Sequence, residues 1–121
     1  MRFFPKSGAV VFYTDWFIRD WAAGLAFGPI IFIRPRAKDD EGLLQHELVH
    51  ARQFWRTFGL HGILYLARKE YRYNAEVEAY CESIKYSPWA IERFAHFIAT
   101  KYRLNVTKEE ALACLKQCRE T

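Results

Sequence analysis

Three residues in this sequence have types and spacing suited to chemistry: His46, Glu47 and His50, in the pentapeptide His-Glu-Leu-Val-His. Histidines four residues apart project from one face of a helix, so both imidazoles can bind a single metal ion. The glutamate between them can reach a water on that ion and act as a general base. A chance HExxH is expected on the order of once in a few hundred chains of this length. The motif therefore predicts a metal-dependent hydrolytic site with Glu47 as its catalytic residue.

An amphipathic helix should position this motif. Acidic residues at 39–41 favour a helix N-terminus, a 3.6-residue apolar period runs from Leu43 to about Phe58, and glycines then interrupt it. In helical projection the apolar arc consists of Leu43, Leu44, Leu48, Ala51, Phe54, Trp55 and Phe58. Glu47 lies inside the arc and the two histidines lie at its border, so we expect the whole motif to face the protein interior. A carboxylate in that position needs a compensating partner.

A catalytic zinc commonly has three protein ligands and a water, so a third ligand should follow downstream. The segment 73–80 offers two carboxylates, Glu76 and Glu78. In projection Glu76 lies at the border of an apolar helix face, whereas Glu78 lies on the face expected to be solvated. We predict that His46, His50 and Glu76 bind one Zn²⁺ per chain.

These residues resemble those of the gluzincin-type zinc metallopeptidases, especially the minimal forms. The resemblance consists of the helical HExxH motif and of Glu76 on a following helix, 26 residues after His50. In that family the glutamate is often followed by Ala-Asp as Glu-x-x-Ala-Asp. Here residues 76–80 read Glu-Val-Glu-Ala-Tyr, so Tyr80 replaces the aspartate. A carboxylate that orients a histidine then comes from elsewhere or is absent.

The resemblance covers roughly residues 9–86 and implies a zincin-like fold with peptidase activity on a peptide or protein substrate. It implies that Glu47 takes a proton from a zinc-activated water and returns it to the leaving amine. It also implies a small sheet before the motif helix, with an edge strand along the cleft, and the segment 29–33 is similar in position.

An oxyanion donor is not assigned by the resemblance. Tyr71, Arg72, Tyr73 and Tyr80 lie near Glu76 in sequence, but aromatic residues at helical spacing more often belong to a core. The remaining histidines, His61 and His96, are expected to be packed or at the surface.

The rest of the pattern predicts an α+β, mainly helical fold in a single domain spanning 1–121. Two runs rich in β-forming residues, 9–13 and 29–33, predict a short N-terminal antiparallel sheet, with Pro29 either starting its strand or lying at an edge. After the motif helix we expect a glutamate-bearing helix over 63–86, interrupted near Lys69, and a helix over 89–102. Thr107 and Glu110 form a capping box that predicts a last helix to about Cys118.

Composition narrows the function classes. With 51% hydrophobic residues the 121-residue chain has ample material for a core, which excludes a disordered protein. A net charge of +4 permits nucleic-acid binding without indicating it.

We expect no signal peptide, and the longest apolar run, 21–33, is too short for a transmembrane segment. Three cysteines form no even disulfide framework, which favours a reducing compartment and hence the cytoplasm.

Two alternatives to a zinc metallopeptidase remain compatible with the sequence. One is a non-catalytic metal-binding interaction module with a zincin-like fold, in which the ion only stabilises the structure. The other is a basic nucleic-acid-binding domain, whose affinity would fall steeply with salt.

Overall fold

The computed structural model describes residues 1–120 and shows an α+β, mainly helical fold, as predicted. Four short strands come first, followed by five helices. The strands are β1 (Arg2–Phe4), β2 (Ala9–Tyr13), β3 (Gly24–Phe27) and β4 (Ile30–Ile33). The helices are α1 (Glu41–Arg56), α2 (His61–Ala67), α3 (Lys69–Tyr86), α4 (Ile91–Lys101) and α5 (Lys108–Arg119), with 3₁₀ turns at Pro35–Ala37 and Pro88–Ala90.

The strands form one mixed sheet in the order β1-β2-β4-β3. The expectation of an antiparallel sheet was wrong for its central pair, because β2 and β4 run parallel while the two outer pairs are antiparallel. The chain crosses from β2 to the far edge, forms β3 and folds back as β4. Gly28, with a φ of 62°, supplies the left-handed conformation that this tight hairpin needs at its first turn position.

The edge strand also differs from the one expected. Both predicted strands form, but β4 begins after Pro29 and lies between β2 and β3, so the segment 29–33 is central. The edge next to β4 is β3, Gly24–Phe27. Strands β1 and β3 were missed because they have only three and four residues, too few for a period of two to be visible.

Helix α1 lies between the sheet and the other helices and contacts both. On its sheet side, a buried cluster joins the inner face of β2 and β4 to α1 and consists of Ala9, Val11, Ile31, Ile33, Leu44, Leu48 and Ala51. A second cluster joins α3, α4 and α5 and includes Tyr80, Phe94, Ile98 and Leu115. Because α1 has partners on both sides, all of residues 46–51 are buried.

Side-chain caps mark the N-termini of two helices, α1 and α5. Asp40 caps α1 by accepting a hydrogen bond from the Leu43 amide, and Thr107 caps α5 through the Glu110 amide, as predicted. The predicted interruption near Lys69 is confirmed at Arg68, between α2 and α3. However, α1 ends at Arg56, and the prediction that Phe58 faces the core was wrong, since its side chain is 95% exposed.

Trp55, like Phe58, was predicted to face the core and does not. Its side chain is 53% exposed, and its Nε1 donates to the carbonyl of Gly8 at 2.9 Å. The residue therefore ties the end of α1 to the turn between β1 and β2 instead of packing beneath the sheet.

A disulfide joins Cys81 on α3 to Cys118 on α5, a pairing that the odd number of cysteines did not lead us to expect. The two residues are 37 positions apart, and only the packing of α5 on α3 brings them together. The third cysteine, Cys114, is a free thiol that accepts a hydrogen bond from the Tyr73 hydroxyl. Since disulfides are typical of oxidising compartments, the cytoplasmic prediction loses the cysteine argument on which it rested.

Among residues 1–120, no helix combines the length and apolarity that crossing a membrane requires.

The disulfide should contribute measurably to stability. We expect Cys81→Ser to lower the free energy of unfolding by about 2–4 kcal/mol, because the cross-link restricts the unfolded chain. Chemical denaturation measures this difference, and Cys114→Ser is the control that leaves the disulfide intact. Detection of both Cys81 and Cys118 as free thiols by peptide mapping of the air-oxidised protein would contradict the pairing.

Candidate metal centre

Helix α1 brings His46, Glu47 and His50 together on one buried face. Their exposed fractions are 6%, 5% and 8%, and one ligand atom from each lies within 4.8 Å of the others. The grouping follows directly from the helical period, because residues i, i+1 and i+4 fall within one arc. These three residues could bind a metal ion.

Helix α3 adds a carboxylate to this group. Glu76 is 2% exposed, and its Oε1 lies 3.4 Å from Nε2 of His46 and 3.3 Å from Nε2 of His50. Glu78, two residues further along α3, is exposed and pairs with Arg56 instead. The structure thus places Glu76, and not Glu78, beside both histidines, while its role as a metal ligand stays a prediction.

The spacing of these atoms fits a tetrahedral metal site. Ligand atoms bound to zinc at about 2.1 Å in tetrahedral geometry are separated by about 3.4 Å. The two nitrogen–oxygen distances of 3.3 and 3.4 Å match that separation. Two imidazole nitrogens and one carboxylate oxygen also form a donor set typical of catalytic zinc.

Gln53 fixes the orientation of His50. Its amide nitrogen donates to the Ala75 carbonyl at 3.1 Å and to Glu78 Oε1 at 2.8 Å. With both amide hydrogens used, its oxygen must accept the bond from Nδ1 of His50, at 2.8 Å. Nδ1 therefore carries a proton, and Nε2 is the nitrogen that can lose its proton and act as a ligand atom.

Gln53 supplies the orienting function for which the sequence offered no carboxylate after Glu76. Tyr80, which stands in the aspartate position, instead packs its ring edgewise on His46 at 4.3 Å between centroids. Gln53 was not predicted, although its position three residues after His50, on the same side of α1, indicates that the two side chains can meet.

Tyr65 on α2 holds the second oxygen of Glu76, since its hydroxyl donates to Oε2. Burial, and then the charge of Glu76, raise the pKa of Tyr65, so its hydroxyl stays protonated and donates. No local pattern pointed to Tyr65, because its contact depends on how α2 folds back over α3.

The four residues considered near Glu76 as oxyanion donors have other partners. Tyr71 bonds to Nδ1 of His61, Tyr73 bonds to Cys114, and Tyr80 bonds to the Tyr102 hydroxyl. Arg72 donates to main-chain carbonyls, including that of Tyr65. Of the remaining histidines, His96 is exposed, and half-buried His61 packs its ring against His50.

Burial and mutual attraction shift the ionisation of the cluster in the metal-free protein. Burial lowers the pKa of His50, but the Glu76 charge and hydrogen bond outweigh it and raise the pKa to about 9. Burial likewise favours protonated Glu76, yet the two histidines hold its pKa below the usual range. For Glu47 burial prevails over the histidines and raises the pKa. Burial, followed by repulsion from His50, lowers the pKa of His61 to about 4.

The edge strand β3 passes directly beside Glu47. A Cβ placed on Gly24 would lie 2.9 Å from Oε2 of Glu47 and 3.2 Å from the Leu43 side chain. Only glycine therefore leaves this carboxylate its observed space. Glu47 therefore lies against the face of β3, the outermost strand of the sheet on that side.

Comparisons with known proteins give no family for this chain. It matches no family model, no curated protein and no solved structure.

Removing the orienting amide should weaken metal binding. We expect Gln53→Ala to lower the affinity for Zn²⁺ by about 10- to 100-fold, because His50 loses the acceptor that fixes its ring. Competition with a chromophoric chelator measures the change. Gln45→Ala is the matched control, since Gln45 is on the same helix but bonds only to Glu41 at its N-terminus. Equal affinities in the two variants would contradict the assignment.

Metal binding should release a proton. Metal-free His50, with a pKa of about 9, is protonated at neutral pH, and ligation requires its Nε2 to be unprotonated. We therefore expect release of about one proton per Zn²⁺ at neutral pH, with an apparent affinity that rises until the pH reaches about 9. Calorimetry in buffers of different ionisation enthalpy measures the release. His61→Asn should leave it unchanged, and absence of release in wild type would refute this ionisation state.

Proposed function

We propose that this protein is a zinc-dependent metallopeptidase of the gluzincin type. The observation that carries the proposal is the state of Glu47. Its side chain is 5% exposed, yet within residues 1–120 no hydrogen bond or ion pair engages its carboxylate. Since no fully buried side-chain oxygen among residues 1–120 lacks a partner, this unbonded carboxylate retains contact with solvent. An unengaged one beside three candidate ligands is what a general base requires.

The residues divide into those that bind, those that orient and one that moves a proton. His46, His50 and Glu76 would hold the ion, while Gln53 and Tyr65 fix the atoms that His50 and Glu76 present. A zinc ion held by these residues would supply Lewis acidity, which would polarise a substrate carbonyl and lower the pKa of water toward neutrality. Glu47 would accept the proton at its carboxylate and deliver it to the leaving nitrogen, a role that its raised pKa favours.

The free edge of β3 supports a peptide as the substrate. An extended peptide can add to an exposed strand edge through main-chain hydrogen bonds. A peptide paired with β3 would pass Glu47, because Gly24 of that strand lies against the carboxylate. Binding of this kind uses the substrate backbone, so a short strand of four residues is sufficient to align a scissile bond.

The decisive test separates metal binding from turnover. We expect wild type and Glu47→Gln to bind one zinc per chain by elemental mass spectrometry, and His46→Ala to bind none. We expect Glu47→Gln to lower the hydrolysis of a fluorogenic peptide library at least about 100-fold, because proton transfer is lost. Glu41→Gln, in the exposed first turn of the same helix, is the matched control that should retain both properties.

Two results would count against the proposal. Failure of wild type to bind zinc after reconstitution would remove the metal centre itself. Zinc binding with equal hydrolysis by wild type and Glu47→Gln would reduce the ion to a structural role, as in a metal-binding interaction module.

A further inference from the structure

A surface outside the metal centre combines exposed apolar side chains with unbalanced positive charge. It lies on residues 52–69, the basic apolar segment, which runs from the end of α1 through α2 to the start of α3. Its exposed apolar residues are Trp55, Phe58, Leu60, Ile63 and Leu66, with exposed fractions of 53%, 95%, 53%, 67% and 81%.

The segment also accounts for the net charge of the chain. Its basic residues are Arg52, Arg56, Arg68 and Lys69; it contains no acidic residue, and the exposed Glu70 follows Lys69 directly. Since the whole chain has a net charge of +4, the other Lys and Arg residues are balanced by the Asp and Glu residues elsewhere. Arg56 is paired with Glu78, but Arg68 and Lys69 are exposed and form no ion pair within residues 1–120.

Phe58 is exposed although its backbone conformation is strained. It has a φ of 55° and follows the cap of α1, where the Gly59 amide bonds back to the Phe54 carbonyl at 2.8 Å and the Phe58 amide to that of Trp55. This is a Schellman ending, whose left-handed position normally holds glycine. A phenylalanine there is strained, and its ring, which is 95% exposed, makes no buried contact that would offset the strain.

Helix α2 faces the candidate metal centre on one side and solvent on the other. His61 and Tyr65, four residues apart, face the metal centre through the His50 ring and Glu76. Ile63 and Leu66, three residues apart, lie on the other side and are exposed. The apolar side chains thus project outward from a helix end and a short helix, which Arg68 and Lys69 follow directly in the chain.

We propose that the basic apolar segment docks on the surface of a membrane that contains anionic lipids. Phe58, Ile63 and Leu66 insert among the acyl chains, while Arg68 and Lys69 attract the phosphate and carboxylate headgroups, the combination that interfacial segments use. The proposal goes beyond the peptidase proposal and does not depend on it.

Vesicle sedimentation of the full-length protein tests the docking. We expect binding to vesicles of phosphatidylcholine mixed with phosphatidylserine, and much weaker binding to phosphatidylcholine alone. Raising the salt from about 0.1 M to about 1 M should weaken it, because the Debye length shortens from about 10 Å to about 3 Å. Arg68→Gln and Lys69→Gln should each weaken binding about five-fold.

Phe58→Gly separates docking from structural effects. Glycine relieves the left-handed strain, so we expect this variant to have a higher Tm than wild type and yet to bind the anionic vesicles at least about ten-fold more weakly. Loss of a merely structural residue would not raise stability. Trp89→Ala, which removes another exposed aromatic side chain far along the chain, and Lys116→Gln with Arg119→Gln on α5 are matched controls that should bind as wild type.

Three outcomes would overturn the proposal. Wild type would fail to sediment with the phosphatidylserine vesicles, or Phe58→Gly would bind them as tightly as wild type. Alternatively, wild type would self-associate without lipid and Phe58→Gly would not, which would make this surface a protein interface.

Discussion

The packing of α1 against α3 is the constraint on which the rest of the structure depends. It places a carboxylate from one helix within 3.4 Å of two imidazoles from the other, all of them removed from solvent. Charged groups at this depth are costly unless they neutralise one another. The sheet presses on the opposite side of α1, and the disulfide joins α3 to α5. The sheet thus positions α1 and the disulfide fixes α3 on α5, which supports the packing in which these charges neutralise one another.

Hydrogen bonds extend outward from the centre in a connected series. Gln53 links His50 to Glu78, which in turn pairs with Arg56 at the surface. Tyr65 links Glu76 to α2. Since buried polar groups polarise one another, the strength of each bond depends on the others remaining in place. The ligand atoms are therefore oriented by residues from three helices, and the geometry is a property of the assembled fold.

Features set by neighbours in sequence could be predicted, and features set by distant segments could not. The HExxH helix, its inward face, the Thr107 cap and the choice of Glu76 over Glu78 all follow from a helical period that a short window reveals. The parallel pairing of β2 with β4, the disulfide and the Tyr65 contact each join segments that only tertiary packing brings together. The helical projection placed Phe58 in the core because it assumed that the helix continues, whereas a left-handed residue follows Thr57.

Helix α2 has seven residues, none of them buried, although it covers the metal centre. It is connected to α3 through a single extended residue, Arg68, and contacts the centre mainly through His61 and Tyr65. Elements that bury little apolar surface open locally at a small cost in free energy. The cluster of His46, Glu47, His50 and Glu76 thus lies between two closely packed helices, α1 and α3, under a cover of low local stability. Under the proposed function, an ion would enter and leave by detachment of one short helix, at a rate independent of global unfolding.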